Sequence, residues 1–122
     1  MDQSTTGARG ENIACRHLEE KGYLLLERNW LWRRAEVDLI ARAGEALVFV
    51  EVKTRRSDHY GRPETFVTDK KKEMLAGAAA AYMESVGHEW EFRFDVIAVL
   101  IDISTGAFQL EHFQDAFFPG LH

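Results

Sequence analysis

Apolar positions along this chain follow two periods, one helical and one alternating. The opening segment has the helical one. Thr5 or Thr6 can cap a helix running to about Lys21, Ala14, Cys15 and Leu18 share its apolar stripe, and Gly22 stands where a left-handed C-terminal residue is wanted. Tyr23 to Asn29 then reads as a strand opening on Tyr23, Leu24, Leu25 and Leu26, and Trp30 to Arg34 as a connection. Glu36 to Ala41 is a second strand. Ala43, Gly44 and Glu45 form a turn of hairpin length into a third, Ala46 to Thr54, so these two strands are expected to pair antiparallel. Arg55 to Thr65, polar and carrying Gly61 and Pro63, reads as a long loop. Thr68 and Asp69 start a second helix with Met74, Leu75, Ala78, Ala79, Tyr82, Met83 and Val86 on one broad stripe, ending at Gly87. Its alanines invite close packing on a sheet. Glu91 to Asp102 is a further strand, Ser104, Thr105 and Gly106 a turn, and Ala107 to Phe113 the last strand. The order α-β-β-β-α-β-β predicts an α/β protein.

A chain of 122 residues with 46% apolar content suits one domain over 1–122 with short flexible ends. The single cysteine, Cys15, has no intramolecular disulfide partner, which fits a reducing compartment. Met1 to Arg9 lacks the apolar core of a signal peptide, and no window approaches the roughly 20 apolar residues of a membrane span. A cytoplasmic protein without membrane contact is expected. No glycine-rich phosphate loop occurs, which disfavours nucleoside-triphosphate hydrolysis.

A net charge of −5 argues at first against nucleic acid, because phosphate binding draws on lysine and arginine. Its distribution softens the objection: residues 1–73 carry +1 and residues 74–122 carry −6. The bases also cluster, as Arg33 and Arg34, as Lys53, Arg55 and Arg56, and as Lys70, Lys71 and Lys72. Ordinary solvated charges would give the same composition.

The chemistry lies in the second and third strands. Alternation puts Leu47, Phe49, Glu51 and Lys53 on one face, so Glu51 and Lys53 stand side by side, roughly 7 Å apart. Charges at the end of so apolar a run lie near the core, where an unpaired one is costly; the plain alternative is a strand that emerges into water at Glu51. Asp38 is embedded among Val37, Leu39 and Ile40, and a hairpin closed symmetrically near Gly44 sets it opposite the region of Glu51. Two carboxylates and an ammonium on one spot suit phosphodiester hydrolysis: the carboxylates hold Mg2+ or Mn2+, and the lysine orients or helps deprotonate water and offsets phosphate charge. His17, His59, His88, His112 and His122 are scattered without zinc-ligand spacing. Glu11 shares a helical stripe with Ala14, Cys15 and Leu18 and is expected to face inward, a solvated edge position being the alternative.

Glu36, Val37, Asp38, Leu39 and Ile40, followed by Phe49, Val50, Glu51, Val52, Lys53, Thr54 and Arg55, resemble the D…ExK signature of the restriction-endonuclease-like superfamily. Within it the chain is similar to the bacterial YraN family of nuclease-like proteins, related to archaeal Holliday-junction resolvases. The likeness extends over Gly7 to Ala14, Arg28 to Trp30, Lys71, and Arg93 to Val96. It implies a three-layer restriction-endonuclease-like fold, a mixed central sheet of about five strands flanked by helices, with Glu11, Asp38, Glu51 and Lys53 as the active-site set and Asp38, Glu51 and Glu11 around the metal. Ala35 stands where the family typically has glycine. Arg55, Lys71 and Arg93 match recurring basic positions, and a salt bridge to Asp95 is an equal role for Arg93. With Arg56, Lys70 and Lys72 they make up the expected nucleic-acid contacts. The resemblance also allows a homodimer, although nothing in the sequence identifies a dimer face. Three functions follow: a Mg2+- or Mn2+-dependent DNA endonuclease acting on branched or structured DNA, a non-catalytic nucleic-acid-binding or assembly module keeping the fold, and a hydrolase of small phosphate esters.

Overall fold

Leu47, Val48, Phe49 and Val50 form an uninterrupted apolar run, as expected of a strand covered on both faces, and each face carries its own core. The computed structural model describes residues 6–56 and 67–117. In it the chain forms α1 (Thr6–Glu20), β1 (Leu24–Trp32), β2 (Ala35–Ala43), β3 (Ala46–Arg56), α2 (Asp69–Val86), β4 (Phe92–Ile101) and β5 (Phe108–Phe117). This is the expected α/β order. The strands lie side by side as β1-β2-β3-β4-β5, all neighbours antiparallel except β3 and β4. A parallel pair needs a crossover, and α2 provides it.

On one face of the sheet α1 lays Ala14, Cys15 and Leu18 on Leu39, Val48, Val50, Ile97 and Val99. On the other, Leu75, Ala78, Ala79 and Tyr82 of α2 pack on Val37, Ile40, Leu47, Phe49, Phe94 and Val96. The small alanines let α2 approach closely. Thr68 caps α2 by accepting a hydrogen bond from the Lys71 backbone N–H at 3.1 Å, and Gly87, with φ of 71°, ends it in the left-handed region.

Several boundaries differ from those expected. Trp30 to Trp32, read as connection, continue β1: Trp30 pairs with Val37 and Trp32 with Ala35, because both indoles pack into the α2 core. The connection shrinks to Arg33 and Arg34, with Arg33 at φ of 57°. Strand β3 runs on through Arg55 and Arg56, which pair with Leu100 and Ile101, so these two arginines are not in a loop. The rest of that loop, 57–65, and the cap candidate Thr5 lie outside the described residues. Strand β5 extends to Phe117, which pairs with Phe94 and stacks on it with ring centroids 5.3 Å apart. Val86, expected on the α2 stripe, is exposed.

The first turns of α1 sit against the far end of β3 at Gly10, where a Cβ would overlap the Thr54 side chain. That contact fixes the height of Glu11 over the sheet. Gly10→Ala gains helix propensity of about 1 kcal/mol, yet the overlap costs about 1–3 kcal/mol. Chemical denaturation is expected to show net destabilisation, with part of the loss recovered in the Gly10→Ala/Thr54→Ala double variant.

Candidate metal and nucleic-acid site

Strands β2 and β3 pair in register from Ala43 and Ala46 as far as Leu39 and Val50. One position further stand Asp38 and Glu51. The next β3 donor, the Val52 N–H, goes to the Asp38 carboxylate, 2.7 Å from Oδ2. On the opposite side of Asp38, β1 carries Asn29 at φ of 51°, a conformation that asparagine tolerates better than most residues. The sheet changes its pairing here, and an acidic side chain does the work of a strand neighbour.

Glu51 is 4% exposed on the face covered by α2. Its Oε2 lies 3.3 Å from Lys53 Nζ, two residues along the strand, and 2.9 Å from Lys71 Nζ, which reaches down from the first turn of α2. Its Oε1 is buried with no hydrogen-bond partner among the described residues. A buried carboxylate oxygen left this way is costly and has the valence to accept a cation. Asp38 is pushed up to about 7, by burial first and then by the charge of Glu51, against the Val52 N–H and Lys71; Glu11 adds a smaller upward push. Burial works against the Lys71 ammonium, but its hydrogen bond and charge contact with Glu51 outweigh it and raise its pKa. Two acids that repel each other and two ammonium groups thus meet in one place.

Glu11 approaches from α1 and is held elsewhere, accepting from Arg28 Nη2 at 3.2 Å and from Asn29 Nδ2 at 2.9 Å. Among the described residues no group of three or more His, Cys, Asp or Glu is arranged to hold a metal. The two carboxylates nevertheless fit magnesium or manganese, which takes one or two carboxylates and completes its shell with water and substrate phosphate. The donor set is all oxygen.

The basic residues separate. Of the three α2 lysines, Lys70 is exposed, Lys71 turns onto Glu51, and Lys72 lies over the Phe117 ring at 5.4 Å. Arg55 donates from Nη1 to the Thr54 carbonyl at 2.9 Å, and Arg56 is exposed at the end of β3. Arg93 lies five positions from Lys53 in the β3–β4 register, about 16 Å along the sheet. It serves a second buried acid. Asp95, fully buried, accepts from Arg93 Nε at 2.9 Å, from the Asp115 N–H at 2.9 Å and from His112 Nε2 at 2.8 Å. Burial alone would raise the Asp95 pKa, but these donors lower it below the usual value. Neither the partnership of Lys71 with Glu51 nor that of His112 with Asp95 is visible in sequence, since 20 and 17 residues separate them. The one signal was an acid within the apolar run from Phe94 to Ile97, the same signal that picked out Asp38.

The raised Asp38 pKa fixes a sign. The folded protein keeps this proton to about pH 7, whereas the unfolded chain loses it near 3.8. The contribution is therefore fully present below pH 4 and is lost as pH rises through 7, by at most about 4 kcal/mol. His17, whose pKa is lowered by burial and by His112, acts in the opposite direction on acidification. Subtracting the stability profile of Asp38→Asn from that of the parent, measured without divalent metal between pH 4 and 8, is expected to leave a curve that falls with pH. Asparagine can still accept from Val52, so a flat difference would show that Asp38 is not held under repulsion.

Comparison with known proteins places this arrangement in a family. Residues 10–99 match the model described as uncharacterised protein family UPF0102. A UPF0102 protein of Chlorobaculum tepidum is 47% identical over 119 residues, covering 93% of this chain and 92% of its own length. One from Rhodococcus jostii is 46% identical over 112 residues, 91% of this chain and 94% of its own, and one from Flavobacterium psychrophilum 41% over 117 residues, 96% and 97%. Both the span of the match and the level of identity show that the chain belongs to the UPF0102 family, the YraN family to which the strand motifs pointed.

Proposed function

We propose that this protein is a nuclease that hydrolyses DNA phosphodiester bonds with a divalent cation, acting on branched or otherwise structured DNA. The observation that carries the reading is the buried, partnerless Oε1 of Glu51 beside an Asp38 whose charge is opposed by burial and by its neighbour. Asp38 and Glu51 would hold Mg2+ or Mn2+. When bound, the cation neutralises phosphate charge and makes a coordinated water more acidic. The Val52 N–H fixes the orientation of the Asp38 carboxylate. Lys71 secures Glu51 from α2, leaving Lys53 to exchange its Glu51 contact for a phosphate oxygen or the attacking water. Glu11, tied to Arg28 and Asn29, sets the rim on the α1 side. Exposed Arg56 and Lys70 are the candidates for backbone phosphates.

A second reading has an observation of its own. Lys53 and Lys71 already neutralise Glu51, as they would in a binding or assembly module that retains the fold without turnover.

The readings separate in a cleavage screen over single-stranded, duplex and junction DNA with magnesium or manganese. The nuclease reading expects metal-dependent cleavage that Asp38→Asn, Glu51→Gln and Lys53→Ala each abolish. The three variants also divide by metal response. At ten times Kd a bound cation stabilises the fold by about 1.4 kcal/mol, a gain that Asp38→Asn and Glu51→Gln diminish and Lys53→Ala largely keeps. Absence of cleavage and of any calorimetric response to millimolar metal, with DNA present, would leave only the binding module. For DNA affinity itself, joint neutralisation of Arg56 and Lys70 is expected to flatten the salt dependence of binding by about two in log–log slope.

A further inference from the structure

On the sheet face covered by α1, a cavity of about 500 Å3 opens between that helix and the edge strand β5. Its volume falls within the roughly 300–1,000 Å3 usual for small-ligand sites. The walls are of two kinds. Ile13 of α1 and Phe108 of β5 are apolar, and Phe108 is 52% exposed although aromatic. Arg9 and, about two turns further along α1, Arg16 supply cationic groups, and His17 beside Arg16 a hydrogen-bonding one.

His17 is anchored from behind. Its Nε2 lies 3.0 Å from His112 Nδ1, and His112 Nε2 lies 2.8 Å from Asp95 Oδ2. An ionised Asp95 takes the proton-bearing Nε2 of His112, so His112 Nδ1 is the acceptor and His17 Nε2 the donor. That order leaves His17 Nδ1 as the ring nitrogen without a protein partner among the described residues. Arg9 is held across the cavity by donating from Nη2 to the Gly106 carbonyl at 3.3 Å. Arg16 is exposed and has no ion pair among the described residues.

We propose that this cavity binds a nucleoside monophosphate unit, with the base against Phe108 and Ile13, the phosphate between Arg16 and Arg9, and His17 Nδ1 accepting from a hydroxyl or amino group of the nucleotide. The arginine fork matches phosphate geometry, and an aromatic face accepts any base. Glu20, one turn beyond Arg16 on the same wall, opposes further negative charge and so selects one phosphate over a polyphosphate. A loose nucleotide or the unpaired end of a nucleic-acid strand presents this same chemistry. The site is independent of the nuclease reading, since none of its residues touches Asp38, Glu51 or Lys53.

Calorimetric titrations in EDTA with AMP, adenosine and inorganic phosphate test it, together with DNA hairpins that are blunt or carry an unpaired end. Saturable AMP binding, tighter than either adenosine or phosphate, is expected. Arg16→Gln should weaken AMP by about tenfold and leave adenosine unchanged, whereas Phe108→Ser should weaken AMP and adenosine by about tenfold and spare phosphate. Both positions are on the surface, and unchanged melting temperatures will verify the fold. Tighter binding of the overhang hairpin than the blunt one, with the same dependence on Arg16 and Phe108, assigns the strand end; equal hairpins with tight AMP assign the loose nucleotide. AMP binding no tighter than phosphate, or indifferent to both substitutions, would overturn the proposal. Glu51→Gln should bind AMP like the parent, which keeps this outcome separate from loss of cleavage.

Discussion

A buried backbone N–H must find an acceptor, and at Val52 the one it finds is the carboxylate of Asp38. Much of the local architecture depends on that substitution. Because the side chain takes the donor, paired register between β2 and β3 need continue no further than Leu39 and Val50, and the sheet can open without a stranded amide worth about 1–3 kcal/mol. The opening is where Glu51 and Lys53 stand on the α2 face and where α1, lying close over Thr54 through Gly10, brings Glu11 to the rim. Asp38 is therefore both a structural acceptor and a chemically strained acid.

The chain contains a control for this interpretation within its own sheet. Asp95 is as deeply buried as any residue in the protein, yet its oxygens are met by Arg93, His112 and the Asp115 amide, and its pKa falls. Asp38 and Glu51 lie on neighbouring strands in the same kind of apolar surroundings, but one is pushed up to about 7 and the other keeps an oxygen with no partner. Asp95 and Glu51 are buried and Asp38 is half-buried. What differs is whether donors meet both oxygens of each carboxylate.

Periodicity sufficed for the element order because each helix and strand buries a stripe or a face, and those stripes are written locally. Its failures were at ends. Trp30 and Trp32 lack the turn residues of a connection and continue β1 because α2, more than 35 residues later, offers them a core; Phe117 prolongs β5 because Phe94 awaits its ring. Helix α2 is bounded by Thr68 and Gly87 as read, since caps are satisfied by the residues beside them.

The same division applies to the site. Asp38, Glu51 and Lys53 were legible because strand alternation and one short hairpin relate them, and both are geometries of a few residues. Glu11 was placed on the correct helix, but its capture by Arg28 and Asn29 was not legible, nor was the turning of Lys71 onto Glu51 in place of the phosphate contact expected of it and its neighbours. Arg93 took the second of its two expected roles, the salt bridge to Asp95, but the completion of that network by His112 and His17 from β5 and α1 was not legible. Sequence determined which residues carry charge into an apolar strand and how adjacent strands present them. Only the tertiary structure decided which charges from other elements meet them, because such a partner comes from whichever element packs over the buried ion, and nothing local to the ion specifies that element.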